Sequence, residues 1–522
     1  MEINHNNKDL HVIWTVIDGC HADIFYELFA GGRLPNLCRA MGGGPHGGGP
    51  HSGGLTVRNA TTCFPSVTVV CLASMFTGAN FKTHGLLGNV WYDRTWEPVA
   101  GRAYCALLEQ TLAAYDRRLF GLPQLFLPEL RMGGLVNVDI DPEVKTIYEV
   151  LGERGLRTCA MYNYVGRGAT LWLRPTRTDM LAYVYADKYK HDHSIFDRRM
   201  TNRAIRHVRR GGLPHLLVLY FGGHDGNSHH RGVGAQADYL IDVIDPLFGR
   251  LLKVAEETHP IEKLGFVLNS DHGQTDFPRG GGHRRIWVED IIKMFERGAP
   301  GRTAAGLKVD GGEKPQVAPD ADVIFAIGTG GSFSLQIKNR RTGRWTDSPR
   351  FAEDVAPVAN LLLSASDPGL ASEPFHVGAG CFSFIIVREN LNAPYMIYQN
   401  DPPYEGTGRL LELETFFAGK KERYPAAVEQ IRGIEHPARG PDAVAVLDYD
   451  EKGFYMAGGE HRGNHGHFCP DDSRIPLVFA GPGIATGEIE TGRLIDIAPT
   501  VAAMFGLPMP SADGKPLDVF TK

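Results

Sequence analysis

Four short apolar runs, Val12 to Ile17, Leu216 to Phe221, Leu264 to Leu268 and Ile475 to Ala480, leave this chain few ways to fold. Each closes on polar residues, and helical patterns lie between them, among them Asp141 to Glu153, with Pro142 just inside its start, and Gln236 to Glu257. Apolar strands alternating with helices predict an α/β fold with a mostly parallel central sheet flanked by helices. In such sheets the working groups gather beyond the carboxyl ends of the strands. This sequence places its acidic and imidazole residues at those ends.

A chain of 522 residues is far above the size at which burying a core is difficult, so one large domain with an insertion and two domains are both open. Between Gln274 and Gly458 the alternation becomes irregular, rich in Pro, Gly and charge, with strand-like pieces at Val323 to Ile327, Phe333 to Ile337 and Phe382 to Val387. This stretch reads as an α+β cap inserted over 276–455, between core segments 1–275 and 456–522. Gly42 to Gly54 reads as a flexible loop, whose His46 and His51 are of a type that could bind metal but read first as exposed linker residues.

The net charge of -6 offers no basic field for a phosphate backbone, which disfavours a nucleic acid polymer as bulk partner and leaves a nucleotide open. Eight cysteines, at 20, 38, 63, 71, 105, 159, 381 and 469, form no C-x-x-C pair. They predict reduced thiols and a cytoplasmic location. The polar stretch Met1 to Asp9 leads straight into the first apolar run, without the pattern of a cleaved leader, and no run reaches the roughly 20 apolar residues of a membrane span.

Four islands carry chemistry. Asp18 ends the first apolar run in VIDGC, where a carboxylate is either a helix N-cap or a metal ligand. Thr68 opens a helix running to about Phe76, and a hydroxyl there is either a simple cap or a nucleophile in the positive backbone field of a helix N-terminus. In GGHDGNSHHRG, a Gly-rich loop after the second run, Asp225 and His229 stand four residues apart, with His224 and His230 beside them. Carboxylate plus imidazole suits zinc or another first-row divalent ion. The fourth island, LNSDHGQTD, sets Asp271 and His272 just beyond the third run, and its distant companion GNHGHF holds His465 between glycines.

Read in order, these islands resemble the alkaline phosphatase superfamily, most closely its type I phosphodiesterase/nucleotide pyrophosphatase branch. The shared elements are the strand ending in D-G and Thr68 followed nine residues later by Thr77-Gly78; then His84-Gly85, Asn89, D-x-x-x-H, S-D-H-G, G-x-H-G and the tail from Asp496 to Leu517. The resemblance implies two divalent cations, zinc with manganese as a substitute. It implies that Asp225, His229 and His465 hold one cation, and that Asp18, Asp271, His272 and the nucleophile Thr68 hold the other. It also implies that Asn89 donates to a phosphoryl oxygen, that the substrate is a small phosphate diester, and that a phospho-threonine intermediate forms.

The nucleophile continues as Thr68-Val69-Val70-Cys71-Leu72, where nucleotide pyrophosphatases usually carry T-x-P-N-H. Cys63-Phe64-Pro65-Ser66 echoes the C-x-P-S-R motif of sulfatases, but Val67 replaces the arginine, and the nine-residue spacing to T-G selects Thr68. Phosphonoacetate hydrolases share the threonine and an aromatic-Tyr-Asp segment, here Trp91-Tyr92-Asp93, so a phosphonate or phosphomonoester hydrolase is the alternative. Phosphoglycerate mutases that need no cofactor, with their serine and without this tail, fit less well.

Overall fold

Strand β1 (His11–Ile17) is buried at every position, as an apolar run must be when both faces of its sheet are covered. The computed structural model describes residues 9–44, 54–95, 100–104, 109–113, 134–276, 284–299, 304–308, 321–327, 330–449, 454–456 and 461–521. His46 and His51 lie outside them. Around β1 stand β2 (Leu55–Thr61), β3 (Thr158–Met161), β4 (Leu171–Leu173), β5 (Leu216–Phe221), β6 (Leu264–Asn269), β7 (Arg474–Ile475), β8 (Leu477–Ala480) and β9 (Gly487–Arg493).

Their order is β7-β2-β8-β6-β1-β5-β3-β4, with β9 alongside β2. Pairing is parallel from β6 through β1, β5 and β3 to β4. Beyond β6 it turns antiparallel, β8 pairing with both β6 and β2. The carboxyl ends of β1, β5 and β6 are therefore neighbours, and the crevice they open holds Asp18, Asp225 and Asp271.

The run expected as one strand from Ile475 to Ala480 is interrupted at Pro476, which has no N–H to give to a ladder. The helix expected over Asp141 to Glu153 is confined to Ile147–Gly152, because Thr146 and Glu149 form a capping box that starts it there. Gln236 to Glu257 is helical as expected but widens to a π-helical turn at Leu240–Ile244, just before Pro246.

A second, seven-stranded sheet is built from residues 304–447, in the order Ala304–Lys308, Val323–Ile327, Ser332–Ile337, Ala443–Leu447, Phe382–Arg388, Tyr395–Gln399, Arg409–Leu411. Its strands alternate between two cores. Ile385, Val387, Ala443 and Ala445 pack under the helices Val288–Gly298 and Ala356–Ala365, whereas Phe384, Ile386, Val444 and Val446 join the main core. No described helix is long and apolar enough to cross a membrane.

Asp442 ties the second sheet to the segment that follows the strand Val90–Asp93. Its buried carboxylate accepts from Ile337 N at 2.7 Å, pairs with Arg94 at 2.5 Å and stands 3.6 Å from Arg388. Removing one partner of a buried ion pair strands the other charge, so Asp442→Ala is expected to lower stability by about 3–5 kcal/mol. Chemical denaturation measures this, and an unchanged midpoint would refute it.

Candidate metal centre and active site

Asp18 is the first residue beyond β1 and Asp271 the second beyond β6. Asp18 is not a helix cap, because the helix that follows it, Ala22–Ala30, has His21 in that position. Asp225 and His229 lie not in a loop but on a helix, Gly223–Arg231, where four-residue spacing sets side chains on one face. His229 Nε2 stands 3.1 Å from Asp225 Oδ2. Gly19 lets the strands converge: its φ is +63°, and a Cβ there would stand 2.5 Å from Asp225 Oδ1.

Thr68 is the first residue of the helix Thr68–Thr77, with Val67 as its cap, so its hydroxyl is not spent on capping. Thr68 Oγ1 lies 3.2 Å from His272 Nε2. Ser66, the neighbouring hydroxyl, is buried and donates to His467 O at 3.0 Å. Asn89 Oδ1 accepts from Val69 N at 3.0 Å, which leaves the amide Nδ2 as its donor beside Thr68.

Three imidazoles are locked the same way. His272 Nδ1 faces Gly273 O at 2.9 Å, His465 Nδ1 faces Ser66 O at 2.7 Å, and His229 Nδ1 faces Gly463 O at 2.7 Å. A carbonyl only accepts, so each Nδ1 carries the proton and each Nε2 presents a lone pair, the arrangement metal-binding histidines need. His272 Nε2 lies 3.4 Å from Asp18 Oδ1 and 3.5 Å from Asp271 Oδ2, and His465 Nε2 lies 3.9 Å from Asp225 Oδ1.

Two ligand sets result, Asp18/Asp271/His272 and Asp225/His272/His465, in each of which the donor atoms lie within 4.8 Å of one another. His272 belongs to both, a sharing that no spacing in the sequence announces. His229 stands beside the second set, against Asp225, its ring centroid 5.2 Å from that of His465.

The residues fit cations. Asp18 Oδ1 and Asp271 Oδ2 are buried without a hydrogen-bond partner, and an uncompensated buried carboxylate is among the costliest arrangements a protein can hold. Burial, then the charges of Asp271 and Asp225, push the Asp18 carboxyl well above the usual range; burial also raises Asp271. For Asp225 burial acts in the same direction, but His229, His465 and His272 outweigh it and hold that carboxyl low. Burial and the neighbouring His272 keep His465 neutral and able to ligate.

Residues to which the sequence assigned no role complete the frame. Tyr220 donates from within β5 to Asp18 Oδ2, Gln274 Nε2 donates to Asp225 Oδ1 at 3.0 Å, and buried His224 Nδ1 meets Asp18 O at 2.8 Å. A hydroxyl at the carboxyl end of an otherwise apolar strand was the available signal for Tyr220. Such outer partners fix ligand orientation, so Tyr220→Phe is expected to weaken metal binding about 10–100-fold. Competition against a chromogenic chelator measures it; unaltered affinity would leave Tyr220 a packing residue.

Beside the loop that leads into Thr68 a cleft of about 410 Å³, its open mouth included, is lined by Phe64, Val67 and Leu87 of the core and by Ala326, Phe333 and Val444 of the second sheet. Phe333 borders this cleft, but its ring, like that of Phe325, packs in the second sheet's core, where Phe325 lies against Phe295 and Phe333. Trp91, Tyr92 and Asp93 are buried in packing, Trp91 under Arg439 and Tyr92 against Trp345.

A helix-opening threonine, carboxylates at adjacent strand ends and histidines returning from far along the chain are how the alkaline phosphatase superfamily builds a hydrolytic centre, and this chain has that fold. It belongs to the type I phosphodiesterase/nucleotide pyrophosphatase family, whose model matches residues 12–367, through the core and into the second sheet. It is a phosphodiesterase-type hydrolase.

Among solved structures, murine ectonucleotide pyrophosphatase/phosphodiesterase 5 shares the fold with TM-score 0.55 at 13% identity, and the human protein with TM-score 0.55 at 12% identity. In both, 97% of each chain is covered. The murine protein in an inactive threonine-to-alanine form, in complex with AMP, gives TM-score 0.53 at 13% identity over 97% of each chain. No curated protein matches the chain in sequence.

Proposed function

We propose that this chain hydrolyses small phosphate diesters of the nucleotide type through a phospho-threonine on Thr68. The observation that carries the reading is Thr68 Oγ1 at 3.2 Å from His272 Nε2, on the edge of a cage in which Asp18 Oδ1 and Asp271 Oδ2 are buried without a hydrogen-bond partner. The AMP held by the murine relative supports a nucleotide as substrate.

In this reading Asp18, Asp271, His272 and Thr68 hold one divalent cation, and Asp225, His229 and His465 another, zinc by the mixed Asp/His donor set with manganese as a substitute. Such a pair supplies Lewis acidity and charge for the nucleophile and the leaving oxygen. The chain's own part is positioning. The Thr68 hydroxyl, held at a helix N-terminus, attacks phosphorus in line with the leaving group. Asn89 Nδ2 and the backbone N–H groups of the first helical turn donate to the non-bridging oxygens as their charge grows. The imidazoles, fixed by the carbonyls of Gly273, Ser66 and Gly463, cannot turn away. Water then cleaves the phospho-threonine from the vacated side.

Three carboxylates and a threonine alkoxide balance two dications, which suits a diester monoanion better than a monoester dianion. We read the second sheet, through the Phe333 cleft, as the wall that meets the leaving group. Rates on matched aryl diesters, monoesters and phosphonates test the assignment. The expected preference for diesters is at least about tenfold in kcat/KM, or about 1.4 kcal/mol. Faster cleavage of the monoester or the phosphonate would overturn it.

A further inference from the structure

The helix that opens on Thr68 carries a second reactive group. Cys71, one turn beyond Thr68, and Cys63, in the segment leading into the helix, have their sulfurs 3.6 Å apart. Thr62 Oγ1 stands 3.2 Å from Cys71 Sγ and donates to the backbone carbonyl of Asp271. Neither sulfur belongs to a metal-ligand set. Cys63, itself buried, borders a separate cleft with Thr61, Asn80, Gln430, Arg493 and Ile495.

We propose that Cys63 and Cys71 are a peroxide-oxidisable dithiol, in which Cys63 is attacked through this cleft and Cys71 closes the disulfide. The Cys63 thiolate displaces hydroxide from hydrogen peroxide, forming a sulfenic acid as the O–O bond breaks. Cys71 sulfur then attacks Cys63 sulfur, the S–O bond breaks, and the departing hydroxide leaves as water with the Cys71 proton. Two thiols are oxidised by two electrons, and one peroxide is reduced to two waters.

The surroundings favour Cys63 as the first to react. Burial works against its thiolate, but hydrogen bonding, from Cys71 above all, holds the thiol below its ordinary range. Burial pushes the other described thiols, Cys20, Cys38, Cys71, Cys159, Cys381 and Cys469, in the opposite direction. Closing the sulfurs from 3.6 Å to about 2.05 Å draws on the first turn of the helix and on Thr62, which is bonded to the Asp271 backbone. A displacement of that size at a nucleophile slows turnover by about 10²-fold.

The test treats the metal-loaded protein with hydrogen peroxide, blocks remaining thiols and maps the digest by mass spectrometry. A Cys63–Cys71 linked peptide, lost rate on an activated diester and recovery of both with dithiothreitol are expected. Cys63→Ser should keep its basal rate and keep it under peroxide. Absence of the linked peptide, oxidation at another cysteine first, or equal peroxide loss in Cys63→Ser overturns the dithiol. A linked protein with an unchanged rate overturns its coupling to Thr68.

Discussion

Thr68→Ala is expected to abolish turnover, by at least about 10⁴-fold in kcat, while both cations stay bound. The hydroxyl has no structural duty to mask this result, since Val67 caps the helix and Thr68 Oγ1 faces His272. The helix should form unchanged, because alanine is the best helix former. A burst of product from wild type, with phosphate found on Thr68 after acid quench, would establish the covalent step. Substantial activity in Thr68→Ala, or loss of activity in Ser66→Ala through the chemical step, would show that the wrong hydroxyl was chosen. The bond from Ser66 to the His467 carbonyl argues against that outcome.

Stripping the metals should have an effect of similar size, and the ligand sets predict how the variants divide. Asp271 belongs only to the set with Asp18 and His465 only to the set with Asp225, and His272, near both, has a single lone pair at Nε2 to give. The wild type should carry close to two divalent ions per chain; Asp271→Ala and His272→Ala should loosen the Asp18 site and His465→Ala the Asp225 site. Elemental analysis after dialysis separates the two patterns. A fully active protein without metal would sink the mechanism.

The same carboxylates set the pH dependence. Asp18 and Asp271 have raised carboxyl pKa values in the metal-free fold, chiefly through burial. A folded value above the unfolded one means stability that is present below the ordinary carboxyl range and lost as pH rises through the raised value. Stripped protein therefore loses this contribution on going from acid to neutral pH. Loaded protein gains instead, because cations displace the protons and bind more tightly. The difference in Tm between loaded and stripped protein should widen with pH, reaching about 2.7 kcal/mol of stabilisation when free metal is a hundredfold above Kd. A gap that narrows between pH 5 and pH 8 would contradict the assignment of these two carboxylates as ligands.

Much of the site was legible because each part has a local signature. β1, β5 and β6 are read from apolar runs alone, and Asp18 and Asp271 follow from where those runs stop. Thr68 is read from the helix it opens and from the nine residues to Thr77-Gly78. The helix at Gly223–Arg231 was missed because glycines at its start and middle and a cluster of histidines carry poor helix propensity, while packing on the sheet decides the outcome. The short helix at Ile147 was hidden because Pro142 offered an earlier start, yet the capping box at Thr146 prevailed.

The sequence by itself determined the fold class, the strand ends and the chemical types gathered there, since those depend on residues adjacent along the chain. Only the tertiary structure decided which donor atoms meet. His465 takes its tautomer from Ser66 O across a separation of 399 residues, His229 from Gly463 O across 234, and Asp18 its hydrogen bond from Tyr220 across 202. It likewise decided that His272 stands between two ligand sets and that Cys63 meets Cys71 beside a cleft. Metal binding and thiol chemistry depend on ångström distances between atoms brought together by packing, and such distances have no periodicity or spacing from which to be read.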